Sequence, residues 1–486
     1  MPENERLHML QPLTLRRLGL LLVSILLAAL TSACLSKTES DTVEWAAYAR
    51  HKEIDKLELL ELLRERQFAE LDTRLEGYQN EFETGNGQDV LVRYALSTFK
   101  STDPQVGALL DEWVDSVPSS YVAALARTVR YMNLGWLSRG QEFVRLTPDQ
   151  SLRDMERYFA LAETEADRAL ELNSKLSVAY GLLIEMAKSG RTRFRARHYL
   201  RQALQAAPNS IQVRIEYLFS LVPWWGGSLE EIRAFIEESK ADLPPEIGLG
   251  PLEGFEFYVQ GQILAREGRP REAIRYYDRA LEYGEFVGFL TARGNARKRG
   301  QLADRALPDF DRALEIIPNW PGGLSARAGV LSSMGEHDRA EADWTLALKL
   351  DPLNTKILHA RALWLKRQRR YVEALAVLRQ AEVYGALNFR IHFDRGYINL
   401  YFIRDTKAAR EDFLKAIELA PHVPDARFYY AEALFDRQIW LHPSCDALKA
   451  YETYWTVCQR NEKCSERYVH IAKYLMDEHR GTMAQC

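Results

Sequence analysis

The chain has 486 residues, 47% hydrophobic and 27% charged, with a formal net charge of -4. That apolar content supports a packed core and excludes an intrinsically disordered chain, and the near balance of charge offers no global basic excess for nucleic acid. Removing residues 1–33, which hold three Arg and two Glu, leaves -5 and the same conclusion.

The first element is a leader. Arg16 and Arg17 precede an apolar run from Leu18 to Leu30, and Leu30-Thr31-Ser32-Ala33-Cys34 follows. A charged start, a short apolar stretch and small residues at a cleavage point form the pattern of an export signal. The run falls short of the ~20 residues that a membrane-spanning helix needs. The small residues before Cys34 resemble the lipobox of bacterial lipoproteins, with Thr31 where Leu is more usual. The resemblance implies a signal peptide over 1–33, lipidation of Cys34, and a tether over 34–42. Leu35 rather than Asp follows the cysteine, which by the same likeness implies the outer membrane, facing the periplasm. An ordinary signal peptide with a coincidental cysteine is the alternative, and Met9 is a second candidate start.

Residues 43–250 are helical by period but irregular. Leu57, Leu60, Leu63, Phe68, Leu71 and Leu75 make an apolar stripe broken at Gly85-Asn86-Gly87. Further helices are predicted over 90–99, 104–117, 119–137 and 150–172, with Pro118-Ser119-Ser120 as a stop and N-cap. Strand signals are absent. Ala162 and Ala169, then Ala196 and Ala203, are pairs seven apart that recur after 34 residues, so the solenoid begins near residue 120 and includes irregular hairpins. Glu163 and Glu165 read as a solvated face. So does the basic run Arg191, Arg193, Arg195, Arg197 and Arg201, with acidic lipid or polysaccharide as its alternative ligand. Pro223-Trp224-Trp225-Gly226-Gly227-Ser228 reads as a tight loop whose Ser228 caps the next helix. An aromatic platform on Trp224 and Trp225 for a sugar or peptide is the other reading.

From residue 251 to 421 one pattern recurs. Small residues stand at Gly261, Ala273 and Ala280 with Tyr277 between the last two; then at Gly294, Ala306, Phe310, Ala313 and Pro318; then at Ala328, Ala340, Trp344, Ala347 and Pro352. Weaker copies follow at Ala362, Ala374, Leu378 and Ala381, and at Ala409, Phe413, Ala416 and Pro421. Alanines seven apart share one helical face, and a bulky residue between them gives the second helix of each hairpin a small-large-small contact surface. A small residue in the first helix lets the two backbones approach closely. The pattern resembles the tetratricopeptide repeat (TPR), which implies an all-α, right-handed superhelical solenoid of antiparallel helix hairpins. Gly135-Trp136-Leu137-Ser138-Arg139-Gly140 and the Trp224 string, within roughly residues 50–240, resemble an uncharacterised bacterial domain that occurs before TPRs.

The resemblance also implies where a ligand lies: along the first helices, in a concave groove, at Tyr258, Gln262, Arg266, Thr291, Asn295, Lys298, His359 and Lys366. Asn295 and Lys298 with Lys366 and Arg367 are candidates to hold an acidic peptide through charge-assisted hydrogen bonds; solubilising surface charge is the alternative. Arg293, Arg327, Arg361 and Arg395 form a column, matched by Asp309, Asp343 and Asp412 in three repeats and by Val377 in the repeat of Arg361. A structural Arg–Asp ladder explains this column, with an anion-binding stripe as the rival, and the ladder leaves Arg361 available for a ligand. No Gly-x-Ser-x-Gly, His-Glu-x-x-His or phosphate-cradling loop is present, and no histidine pair has metal-ligand spacing, so neither catalysis nor any cofactor or metal is expected.

Residues 422–486 hold Cys445, Cys458, Cys464 and Cys486. In an exported chain they suggest two disulfides, and a helical hairpin would nest them as Cys458–Cys464 and Cys445–Cys486; a zinc site is the rival. Such a stapled hairpin would cap the array. Together these features predict a non-enzymatic scaffold of the bacterial cell envelope, binding protein partners and held to the membrane by its lipid. The alternative is a glycan-binding or enzymatic module in 43–250 that the repeats recruit. Oligomeric state is not legible.

Overall fold

The computed structural model describes residues 54–83, 89–139, 147, 149–189, 193–245, 247–385, 388–421, 423–435, 444–459 and 464–483. The leader, Cys34, the tether, Gly85-Asn86-Gly87 and Cys486 lie outside the described residues. Among the described residues all regular structure is helical.

The irregular part opens with α1 (Lys56–Arg64) and α2 (Phe68–Glu83). Asp55 starts α1 by accepting hydrogen bonds from the amides of Leu57 and Glu58. The leucine stripe expected to continue to the Gly85 region breaks earlier, because Arg66 turns the chain at φ 60°. The turn resets the helical phase: Leu60, Leu63, Leu71 and Leu75 are buried while Leu57 is exposed. Next come α3 (Asp89–Leu96), α4 (Pro104–Ser116), α5 (Tyr121–Arg139) and α6 (Asp149–Leu172). The hydroxyl of Ser120 accepts from the Ala123 amide at 3.0 Å and so caps α5. Helices α5 and α6 form the first long hairpin, followed by α7 (Ser177–Ala187), α8 (Arg193–Ala206), α9 (Ile211–Ser220), α10 (Leu229–Asp242) and the short α11 (Gly250–Glu253).

Five regular hairpins follow: α12 (Phe255–Arg266) with α13 (Pro270–Leu281), α14 (Val287–Arg299) with α15 (Ala303–Ile316), α16 (Pro321–Ser333) with α17 (His337–Leu350), α18 (Thr355–Arg367) with α19 (Tyr371–Gly385), and α20 (Phe389–Ile398) with α21 (Thr406–Leu419). The recurring Ala and aromatic positions of the second helices are buried throughout. A Cβ on Gly261 would meet the Tyr277 ring at 2.5 Å, and one on Gly294 would meet Phe310 at 2.7 Å. The small residue is therefore what lets the aromatic seat against the partner backbone. Each such buried ring contributes about 1.5–3 kcal/mol.

The last hairpin departs from the pattern in one place. Small first-helix and second-helix residues are 12 apart in the other hairpins, as from Ala362 to Ala374, but 13 apart from Gly396 to Ala409. The additional residue is accommodated by a π turn over Asn399–Ile403, after which Arg404 adopts φ 70°. The chain ends in α22 (Asp425–Leu434), α23 (Cys445–Cys458), α24 (Glu466–Glu478) and α25 (Arg480–Met483).

Two polar systems tie the hairpins together. In the Arg–Asp column, Arg293 donates to Asp309 at 2.6 Å and to Asp278 of the preceding hairpin at 2.7 Å. Arg327 forks both oxygens of Asp343 at 2.8 Å and reaches Asp311 at 3.0 Å. Arg395 binds Asp412 at 2.8 Å and also Glu382. Each arginine thus clamps its own second helix to the previous one. Among the described residues, Arg361, opposite Val377, has only Glu341 within ion-pair reach, at 4.0 Å. The second system joins distant ends. The buried Lys56 ammonium lies 3.1 Å from Asp351 and 3.9 Å from the Tyr94 ring, and the Tyr94 hydroxyl donates to the Leu350 carbonyl at 3.2 Å. The array therefore curls until its third hairpin meets the first helices of the chain.

Candidate functional site

First helices of successive hairpins pack on one another as well as on the second helix between them, so α12, α14, α16, α18 and α20 line the inner wall. The residues anticipated for the groove divide into three groups on that wall.

The first group is engaged by contacts within the chain. Tyr258 sits in an aromatic stack with Phe255, Tyr277 and Phe289, and burial pushes its phenol pKa up against the influence of the half-buried Gln262 and of Arg266. The Thr291 hydroxyl donates to the Val287 carbonyl of its own helix at 2.8 Å. Arg266 lays its guanidinium 4.2 Å over the Trp224 ring. Tyr258, through Phe219, and Arg266, through Trp224, thus contact the irregular region, while Thr291 is engaged within its own helix. The second group is electrically compensated. His359 Nε2 lies 2.8 Å and Lys366 Nζ 2.9 Å from the two oxygens of Asp394. Burial alone would raise the Asp394 carboxyl, but these two partners hold it below the usual range.

The third group is different. Lys298 is half-buried on α14, with its ammonium over α16 at Gly329, where an added Cβ would meet Nζ at 2.5 Å. Burial lowers its pKa, and the positive charges of Arg367 and Arg299 lower it further. Among the described residues no carboxylate lies within ion-pair distance of Lys298, Arg299 or Arg367, and Asn295 stands exposed one turn before Lys298 on the same helix. Of the four residues expected to act together, Lys366 is tied to Asp394, whereas Lys298 and Arg367 lie near each other and near Arg299 with no carboxylate in ion-pair reach among the described residues. Sequence reasoning missed Asp394 because its partners lie 28 and 35 residues away on another hairpin.

Trp224 and Trp225 form a 3-10 turn, Pro223–Trp225, that ends in Gly226 at φ 86°. The Ser228 hydroxyl then accepts from the Glu231 amide at 3.2 Å and starts α10. Arg139 lies 5.0 Å over Trp225, which also packs on Trp136. The ring faces a sugar would use thus carry cations of the same chain, Arg266 on Trp224 and Arg139 on Trp225. Within the basic run, Arg195 pairs with Glu163 at 3.1 Å and Arg197 with Glu238, while Arg191 lies outside the described residues.

At the C-terminal end Cys458 and Cys464 form a disulfide with Cα atoms 5.5 Å apart. Cys445 is also disulfide-bonded.

Comparisons with known proteins bear on both halves. A family described as a domain of unknown function (DUF4034) matches residues 55–191 and 190–243, and one described as tetratricopeptide repeat matches residues 258–323. Human tetratricopeptide repeat protein 13 is 27% identical over 182 residues, 36% of this chain; the match spans only 17% of that relative. Among solved structures, yeast Tom70 aligns with a TM-score of 0.43 and 14% identity over 87% of this chain and 95% of its own. The pilF protein of Pseudomonas aeruginosa aligns with a TM-score of 0.35 and 22% identity over 41% of this chain and 87% of its own. With hairpins of the right period and buried residues at each pattern position, the chain carries tetratricopeptide repeats, matched by that family over residues 258–323, behind a region that matches DUF4034.

Proposed function

We propose that this chain is a non-enzymatic scaffold that holds an acidic segment of a partner protein along the inner wall of its repeats, on Lys298, Arg299 and Arg367 with Asn295 beside them. The observation that carries the reading is the charge cluster itself. Burial first, and then the repulsion of Arg367 and Arg299, lowers the Lys298 pKa; a bound carboxylate would offset both by supplying an opposite charge and charge-assisted hydrogen bonds. Elsewhere on the same wall the basic groups His359 and Lys366 are matched by Asp394. The leader and Cys34 extend the proposal to export and a lipid anchor at the outer membrane, facing the periplasm.

Charge reversal tests the first part. Lys298→Glu with Arg367→Glu is expected to abolish recovery of the partner from crosslinked envelopes and to remove the salt dependence of its binding. Equal recovery by the reversed and unaltered chains would refute the acidic-segment reading. Metabolic palmitate labelling tests the second part, and label that persists in Cys34→Ser rejects the anchor.

A further inference from the structure

The turn between the two helices of each regular hairpin passes through a left-handed residue: Gly268, Gln301, Gly335, Arg369 and Arg404, with φ between 60° and 84°. Stacking of equivalent hairpins sets these turns along one edge of the solenoid. Glycine adopts that conformation without penalty, whereas a side chain with a Cβ is strained there. The backbone therefore gives no reason for arginine at the last two turns.

The same two turns carry apolar side chains into solvent. Phe402 and Ile403 close the π turn, each 41% exposed, and Val372, 70% exposed, stands at the start of α19. The Phe402 ring stacks on Tyr371 with centroids 4.2 Å apart and planes 11° from parallel, so the two turns make one patch. Residues 402–407 are exposed without a break. The tip stands clear of the helices behind it and is not walled as a groove is.

Charge indicates what covers this patch. Arg369, Arg404 and Lys407 are exposed around it, and among the described residues none of them has a carboxylate within ion-pair distance. The acids close by are engaged: Glu373 pairs with Arg370 at 2.7 Å, and Asp405 caps α21 by accepting from the Ala408 amide at 3.0 Å. An apolar tip ringed by cations is complementary to a surface that is anionic outside and apolar beneath, which is the construction of an anionic lipid bilayer. A protein interface of standard size draws on about 20–30 residues from each side, far more than two turns hold, whereas a fluid bilayer takes up a small protruding tip without matching its shape. We propose that the edge formed by the last two turns docks on an anionic bilayer, with Phe402 and Ile403 entering the headgroup region and Arg369, Arg404 and Lys407 meeting lipid phosphates, as a contact separate from the lipid proposed on Cys34.

The test places the dye nitrobenzoxadiazole, which brightens in apolar surroundings, on Ile403→Cys in the full-length Cys34→Ser chain, so that no lipid on Cys34 contributes. The comparator carries the dye on Val383→Cys, at the far end of α19 and 52% exposed. Vesicles with about one phosphatidylglycerol to two phosphatidylcholines should raise emission at 403 roughly twofold or more; phosphatidylcholine alone, or about 0.5 M salt, should leave it near its starting value. The dye at 383 should not respond. Arg369→Glu with Arg404→Glu, both at exposed positions, should raise the lipid concentration for half response by about tenfold or more with unchanged circular dichroism; if that pair alters the fold, Lys407→Glu decides, with an expected shift of about threefold or more. Lys298→Glu should leave the response intact, which separates this proposal from the acidic-segment reading. No response at 403 to anionic vesicles, an equal response to uncharged ones, an equal response at 383, or no effect of the charge reversals would overturn it.

Discussion

At the scale of single residues, the glycines at the hairpin crossings set a sharp expectation. Gly294→Ala raises intrinsic helix propensity by about 1 kcal/mol, yet its Cβ would lie 2.7 Å from the fully buried Phe310 ring. Overpacking outweighs propensity at a ring that cannot move, so the substitution should destabilise by about 1–2 kcal/mol, read as a lower urea midpoint. The arginine column gives a second. Asp343→Ala leaves Arg327 partly buried with one of its two carboxylates gone and should cost about 3 kcal/mol. Replacing the pair together, Arg327→Leu with Asp343→Val, removes the stranded charge and should cost less than the single change. The repeat with Arg361 and Val377 already lives without the buried acid, and it is there that the arginine makes its weakest contact. Urea titrations of the single and paired variants check both statements.

At the scale of elements, caps and staples decide where helices end. Ser120, Ser210, Ser228 and Ser444 each start a helix by accepting a backbone N–H, and each is legible because a small hydroxyl residue precedes an apolar run. The stapled C-terminal hairpin rests on Tyr451 and Tyr454 against Phe428, and its second helix buries only Ala472. The Cys458–Cys464 bridge closes a loop of sequence separation 6, for which chain entropy gives about 2 kcal/mol. Mild reduction should therefore lower the melting temperature of the cap before that of the repeats, a difference that hydrogen exchange over 445–478 would resolve.

At the scale of the whole molecule, ion pairs across long sequence distances hold the superhelical curl. Arg93 on α3 pairs with Glu185 on α7 and with Glu216 on α9 at 2.6 Å. Burial works against the Glu185 carboxylate, but Arg93, Lys188 and Lys100 hold its pKa down at about 2, against 4.5 ordinarily. A depressed carboxylate pKa contributes stability above pH 4.5 and loses it as pH falls to about 2. Acid titration followed by circular dichroism should show this loss, and Glu185→Gln should flatten the curve between those limits while lowering stability at neutral pH. The contact between Lys56, Tyr94 and Asp351 sets the curl itself. Tyr94→Phe with Asp351→Asn removes a hydrogen bond and the charge facing Lys56, so small-angle scattering should report a larger radius of gyration without loss of helix content.

The sequence by itself determined the hairpins. Their period, their small-large-small faces and even the Arg–Asp column are local rules repeated at a fixed interval, and a residue's packing partner lies one helix away in the same copy. It also carried the sign of the inserted residue between Gly396 and Ala409, although not its consequence. Only the tertiary structure decided which of the groove cations remain uncompensated, because Asp394 reaches Lys366 and His359 from the next hairpin. It alone closed Lys56 on Asp351 across 295 positions and gathered the tyrosines of α20, α22 and α24 around one cleft. Periodicity encodes contacts between neighbours; contacts between distant turns depend on how the small rotation per repeat accumulates, and no single stretch of sequence states that sum.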